Sequence, residues 1–330
     1  MTTATQTEVI SVRAEGGTVA ITGDTDATRH SGEVTLTDDS HLSLHVAPKS
    51  ALSISCESAS VTVRNVTGPI VIRTESGDVV CEGAGSLDIA TESGDVSARS
   101  TVGAVVVRTE NGDVAVDGAG GLLDVATESG DVRARGIGHA VVVRTNNSDV
   151  ALSEAGASVD IATESGDVEV VDVGGVLVVR TESGNVVADT VGGGIDIGTE
   201  SGDIVGRLIG ANAVVRTEAG DITLDGKTCS IVDAETESGD AYLDLGVEAR
   251  ACSARSEAGN VTVRLARGAG ADVILVSESG EVVSTATVVG REVRDDGQNR
   301  LEGRIGDGGC AIDVHTESGD ITLLEASSDS

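Results

Sequence analysis

The sequence predicts an all-β fold, a β-solenoid (β-helix) built from repeats of about 18 residues. Three observations predict it. A turn motif recurs along most of the chain, apolar residues alternate with period two on both sides of it, and the apolar fraction is almost free of rings.

The motif is T-E-S-G-D-V. It stands at Thr74–Val79, Thr91–Val96, Thr109–Val114, Thr127–Val132, Thr163–Val168, Thr181–Val186 and Thr199–Ile204, with a degenerate copy at Thr145–Val150. It continues at Thr217–Ile222, Thr236–Ala241, Ser256–Val261, Ser277–Val282 and Thr316–Ile321. From Thr91 to Thr217 each step is 18 residues, and the steps then lengthen to 19, 20, 21 and 39. Self-similarity at a fixed short period is the signature of stacked, quasi-one-dimensional architectures.

Two and four places before the threonine sit Leu87 and Ile89, Val105 and Val107, Leu123 and Val125. Five and seven places after it come Val96 and Ala98, Val114 and Val116, Val132 and Ala134. This alternation marks strands with one buried face. The same phase turns the repeated threonine inward, as a buried hydroxyl ladder. Between the strands, E-S-G-D reads as a tight turn in which Gly reaches positive φ and Asp bonds its own backbone. Each repeat is therefore strand, tight turn, strand and a looser Gly-rich corner.

The core must be thin. The AVILMFWYC residues make up 39% of the 330, yet there is no Phe, no Trp and one Tyr, Tyr242, alongside 44 Gly. Rings normally contribute the largest buried areas, so the interior is aliphatic layers fitted between strands.

Charged columns decide the coil length. Arg73, Arg108, Arg144, Arg180 and Arg216 precede the threonine in every second repeat, where the others carry Ala90, Ala126, Ala162 and Gly198. Three places before the threonine, Val71, Val106, Val142, Val178 and Val214 alternate with Asp88, Asp124, Asp160, Asp196 and Asp233. A 36-residue coil would stack Arg on Arg and Asp on Asp, whereas an 18-residue coil sets unlike residues beside each other. Cross-strand pairs of opposite charge stabilise by about 0.2–1 kcal/mol, and like pairs cost as much. The 18-residue coil is expected. The outward Val106, Val142, Val178 and Val214 then form an exposed apolar column suited to a partner.

The expected organisation is one continuous domain: an N-terminal β capping region over 1–55, the repeat solenoid over 56–284, an insertion over 285–311, and the last repeat with a frayed tail over 312–330. A cap is required because an open solenoid end exposes a strand edge.

The run Ile70-Val71-Ile72-Arg73-Thr74-Glu75-Ser76-Gly77-Asp78-Val79 and its copies resemble the adhesin-type family of bacterial and archaeal β-strand repeat proteins, defined by recurring S-G-D-[IV] turns. Gly303-Arg304-Ile305-Gly306-Asp307-Gly308-Gly309, leading into Thr316–Ile321, looks like that family's last-repeat signature. The resemblance covers roughly residues 50–324. It implies the β-strand repeat architecture and little about activity.

Charge excludes several functions. With 22 basic against 55 acidic residues the net charge is −33, and Lys49 and Lys227 are the only lysines. Such a chain repels phosphate backbones and anionic lipid, and it lacks the stacking platforms of single-strand binders. No apolar run is long enough for a membrane helix, and residues 1–8 lack the pattern of a secretory signal. The five cysteines show no metal spacing and are expected to be reduced and buried. A cytoplasmic location is expected.

No catalytic constellation stands out. His30, His41, His45, His139 and His315 are scattered, and His41 and His45 share a strand face without any accompanying metal motif. Every carboxylate repeats like its neighbours, whereas a catalytic pair needs one site with two different environments. A non-enzymatic role is expected, with no resident cofactor. The strongest functional candidate is the acidic turn. Asp95, Asp113, Asp131, Asp167 and Asp203 stack as a ladder of weak metal candidates beside a parallel column of glutamates. At about 4.8 Å in water, neighbouring carboxylates repel by about 0.9 kcal/mol. A divalent cation could bridge them through oxygen. The leading function is an acidic β-solenoid scaffold that assembles with itself or binds another protein. The alternative is a cation- or carbohydrate-binding adhesin-like module.

Overall fold

The computed structural model describes residues 9–27, 32–36, 41–295 and 298–326. Among them every regular element is a strand. The chain forms two compact units, residues 1–163 and 164–330, each taken by itself below.

Each coil lays one strand in a first sheet and one in a second. In the first unit Val105–Arg108 joins the first sheet and Val114–Ala119 the second, with the E-N-G-D turn between them. Successive coils stack in parallel at a spacing of 18 residues, Val105 opposite Leu123 and Val114 opposite Val132. Parallel strands with this spacing define the β-solenoid read from the sequence, with the shorter of the two coil lengths considered.

The core is the predicted one. Val105, Val107, Leu123 and Val125 of the first sheet and Val114, Val116, Val132 and Ala134 of the second are all buried. In the second unit, a Cβ placed on Gly206 of the second sheet would come against Leu224 and against Ile195 of the first. At this coil the two inner faces therefore meet side chain against side chain. Thr74, Thr91, Thr109, Thr127 and Thr145 are buried as well, as the alternation requires.

The looser corner holds a regular feature. Ser100, Gly118, Gly136 and Glu154 stack as successive left-handed residues, with φ of 52°, 80°, 67° and 58°. Asp172, Thr190 and Leu208 repeat the conformation in the second unit. Each precedes a buried residue, Thr101, Ala119, Ile137 and Ala155 in the first unit. The left-handed residue thus turns the strand end inward. L-residues pay about 1–2 kcal/mol for this conformation, so repeated use reflects what the corner requires.

The coils do not stack in chain order at either end. In the first unit Val9–Ala14 lies between Gly32–Leu36 and Ala51–Cys56, and Thr18–Gly23 lies between His41–Val46 and Ser60–Arg64. The described part of residues 1–55 therefore extends both sheets. In the second unit Cys310–Thr316 lies between Ala251–Ser256 and Ala271–Ser277. The expected insertion over 285–311 contains an antiparallel hairpin, Val289–Asp295 with Gln298–Ile305, which adds to the outer edge of Ala271–Ser277. It covers that edge and makes Val289–Asp295 the last strand on this side of the first sheet. The tail over 327–330 lies outside the described residues.

Candidate functional site: the acidic turn edge

The turn owes its shape to glycine. Gly94 has φ of 138° and Gly130 of 120°, and a Cβ on either would overlap the backbone of the glycine one coil before, Gly77 or Gly112. Close stacking of the turns brings the acidic side chains into columns.

The sequence reading had each aspartate bonding its own turn, whereas the bonds these carboxylates make run between coils. Each reaches to the next coil. The Asp78 Oδ1 accepts from the Asp95 backbone N–H at 3.1 Å, Asp95 from Asp113 at 3.0 Å, and Asp113 from Asp131 at 2.9 Å. In the second unit Asp167 accepts from Asn185 at 2.8 Å, the Asn185 side-chain oxygen from Asp203 at 2.9 Å, and Asp203 from Asp221 at 2.9 Å. One oxygen per coil is thereby committed to a backbone amide, and a bond to a charged acceptor contributes about 1.5–3 kcal/mol. This offsets the repulsion of the stack.

The five predicted residues thus fall in two groups. Asp95, Asp113 and Asp131 are consecutive in the first unit, while Asn185 separates Asp167 from Asp203 in the second. Arg133 also reaches the first group, 2.7 Å from Asp131 Oδ2 and 4.0 Å from Asp113 Oδ2. Among the described residues no three His, Cys, Asp or Glu side chains are arranged to hold a metal ion. His41 and His45 do project from one side of their strand, and His45 stands 3.7 Å from Asp24. Beside the aspartates, Glu92, Glu110 and Glu128 are exposed.

The outer face of the first sheet carries paired charges. On the first sheet Arg73 binds Asp88 at 2.9 Å, Arg108 binds Asp124 at 2.6 Å and Arg144 binds Asp160 at 2.7 Å, each pair crossing one coil. Arg180 with Asp196 and Arg216 with Asp233 repeat the arrangement in the second unit. The small residue in the intervening place gives the guanidinium room: a Cβ on Gly198 would already touch the Arg180 side chain. The sequence showed both columns but not their meeting, whose signal is the two-residue offset between Arg in one coil and Asp in the next. Val106 and Val142 lie in register between aspartates, flanked by these pairs, and are half-buried. The exposed apolar column expected there is corrected accordingly. On the second sheet Asp244, 7% exposed, takes Arg264 at 3.1 Å and Lys227 at 3.2 Å.

One groove of about 830 Å³ opens on the first sheet of the first unit, lined in part by Ser11, Arg13, Thr35, Ser53, Ser55 and Arg73. Ser53 and Ser55 sit in register with Val71 and Arg73, so the groove is a coil where the Arg–Asp pair is replaced by small residues. All five cysteines are free and buried. Burial pushes the Cys81 thiol up to about 12 and those of Cys229 and Cys310 up to about 11. They are therefore protonated near neutrality and poor nucleophiles.

A parallel two-sheet β-solenoid with stacked acidic turns is a repeat architecture. The chain belongs to the Toastrack DUF4097 family, whose profile matches residues 3–153 and 207–324. That match supports the repeat architecture read from the S-G-D turns and lends nothing to the adhesin label. No curated protein and no solved structure matches the chain. Among the described residues no helix is long and apolar enough to cross a membrane.

Proposed function

We propose that this protein is a non-catalytic scaffold whose working surface is the acidic turn edge, a rigid comb of carboxylates offered to a cationic partner. The observation that carries the reading is the inter-coil aspartate–amide ladder. It fixes the comb in the backbone while Arg–Asp pairs neutralise the first sheet's outer face. Preorganised like charge raises the on-rate and the salt sensitivity of a complementary partner. The free buried thiols favour a reducing compartment such as the cytoplasm. The carbohydrate-binding alternative stands on the hydroxyls of the groove alone, which holds no aromatic side chain for a sugar to stack on.

Titration with polylysine at increasing salt tests the reading. Replacing Glu92, Glu110 and Glu128 by Gln should weaken binding by about tenfold. Removing Glu82, Asp117 and Glu154, carboxylates away from the turn edge, should change it far less. Equal loss in both variants would mean that only net charge matters and would remove the edge as a site.

A further inference from the structure

We propose that the coil of residues 310–325 can be supplied by a second copy of this chain, exchanged into the slot between the coils 251–265 and 271–284. This rests on the scaffold reading only for its purpose, since exchange would join scaffolds. The geometry of the slot stands independently.

The slot lies between two coils that follow one another in the chain. Cys310–Thr316 runs parallel to Ala251–Ser256 on one side and to Ala271–Ser277 on the other. Ile321–Glu325 is held in the same way by Val261–Leu265 and Val282–Ser284. Both hosts meet the guest in one register. Cys252 and Val273 stand opposite Ile312, Ala254 and Leu275 opposite Val314, and Ser256 and Ser277 opposite Thr316. The hosts recognise inward apolar alternation and a backbone, and these are identical in every copy.

The connection to the guest is short and folded back. Gln298–Ile305 pairs antiparallel with the far edge of Ala271–Ser277, so the chain must pass around the end of that strand to reach its near edge. Ile305 and Cys310 both register with Ala271, and residues 306–309 make the crossing. Gly306, Gly308 and Gly309 hold φ of 55°, 79° and 135°. The Gly308 N–H donates to the Ile305 carbonyl at 3.1 Å and the Cys310 N–H to that of Gly270 at 3.1 Å. A short loop wrapped around a strand end is the kind of hinge at which exchange between copies is favoured. Opened out, it carries the following coil away from its own slot.

The bonds that seat the guest do not depend on which chain provides it. The Ser277 hydroxyl donates to the Gly319 carbonyl at 2.7 Å and the Thr316 hydroxyl to that of Gly259 at 3.1 Å. The Asp320 N–H donates to Asn260 at 3.0 Å, and the Asp320 carboxylate accepts from the Glu281 N–H at 2.7 Å. All are remade when a second chain inserts. The preference for the chain's own coil is then its effective concentration, about millimolar for a short linker. The net charge of −33 opposes encounter between copies, so screening salt should promote exchange.

A covalent trap tests this on the full chain with its five cysteines replaced by Ala. One variant carries Ser253→Cys and the other Asp313→Cys, positions that face each other across the slot. A chain with both substitutions, oxidised when dilute, must first give an intramolecular cross-link, which calibrates the geometry. The two single variants are then unfolded together, refolded at high concentration and salt, and oxidised. The expected result is a covalent heterodimer whose yield rises with protein concentration. In parallel, the native-cysteine chain lacking Gly308 and Gly309 should elute with twice the monomer mass by light scattering. Absence of the heterodimer at every concentration, given a sound intramolecular control, overturns the proposal. A folded monomer from the shortened hinge does so as well. Neither readout depends on what the acidic edge binds, so failure here leaves the polylysine result standing.

Discussion

A threonine hydroxyl buried in an aliphatic layer must find an acceptor or cost about 1–3 kcal/mol. Thr127 donates to the Ser129 carbonyl at 3.0 Å, while the Thr109 and Thr181 hydroxyls have no partner. Thr109→Val and Thr181→Val should therefore raise stability, each by about 1 kcal/mol, and Thr127→Val should lower it by about the same. Thermal melts of the three variants, followed by far-ultraviolet circular dichroism, check this; three shifts of one sign would refute it. The inward direction of the threonines was legible, because period-two alternation sets it. Which hydroxyl finds an acceptor was not, since that depends on where one turn carbonyl points. Aspartate shows the same limit: its column was plain in the repeat, but its acceptor role toward the next coil needs the stacking distance.

At the scale of the strand, the alternating coils act as a two-coil unit. A coil bearing Val and Arg is stitched to one bearing Asp and Ala, and the Arg144 guanidinium also donates to the Val143 and Asp160 carbonyls. These pairs are about half-exposed, so each should contribute little. A double-mutant cycle on Arg144→Ala and Asp160→Ala should give a coupling of about 0.2–1 kcal/mol. The coupling should shrink in about 0.5 M NaCl, and a coupling unaffected by salt would count against a Coulombic pair. Coil length was readable from these charges because stacking converts a sequence offset of 18 into a spatial neighbour. The left-handed corner was not readable: Ser100, Glu154, Asp172 and Leu208 share no chemistry, and the conformation belongs to the stack.

At the scale of the whole molecule, a net charge of −33 sits on a chain whose turns stack carboxylates at coil spacing. Screening should therefore stabilise it, and the melting midpoint should rise between about 0.05 and 0.5 M NaCl. Calcium at matched ionic strength should add nothing further, since one aspartate oxygen per coil already serves an amide and Arg133 occupies the Asp131 side. A calcium-specific rise of several degrees would instead reveal a cation site on the edge. The repeat fold was legible because one motif encodes one coil. The order of the terminal coils was not, because it depends on pairing between coils that the chain does not place in sequence.

That order bears on how such a chain can change length in evolution. The coils nearest either end of the described sequence are each gripped by neighbours on both sides, and their partners are matched to them strand by strand. A copy appended beyond them would find its neighbour already taken. A copy inserted between Thr91 and Thr163, where spacing is uniform within the first unit, meets the same surface above and below. Gene-level duplication in the middle is therefore the permitted route to a longer member, and the irregular spacing near the ends marks the segments that cannot be multiplied.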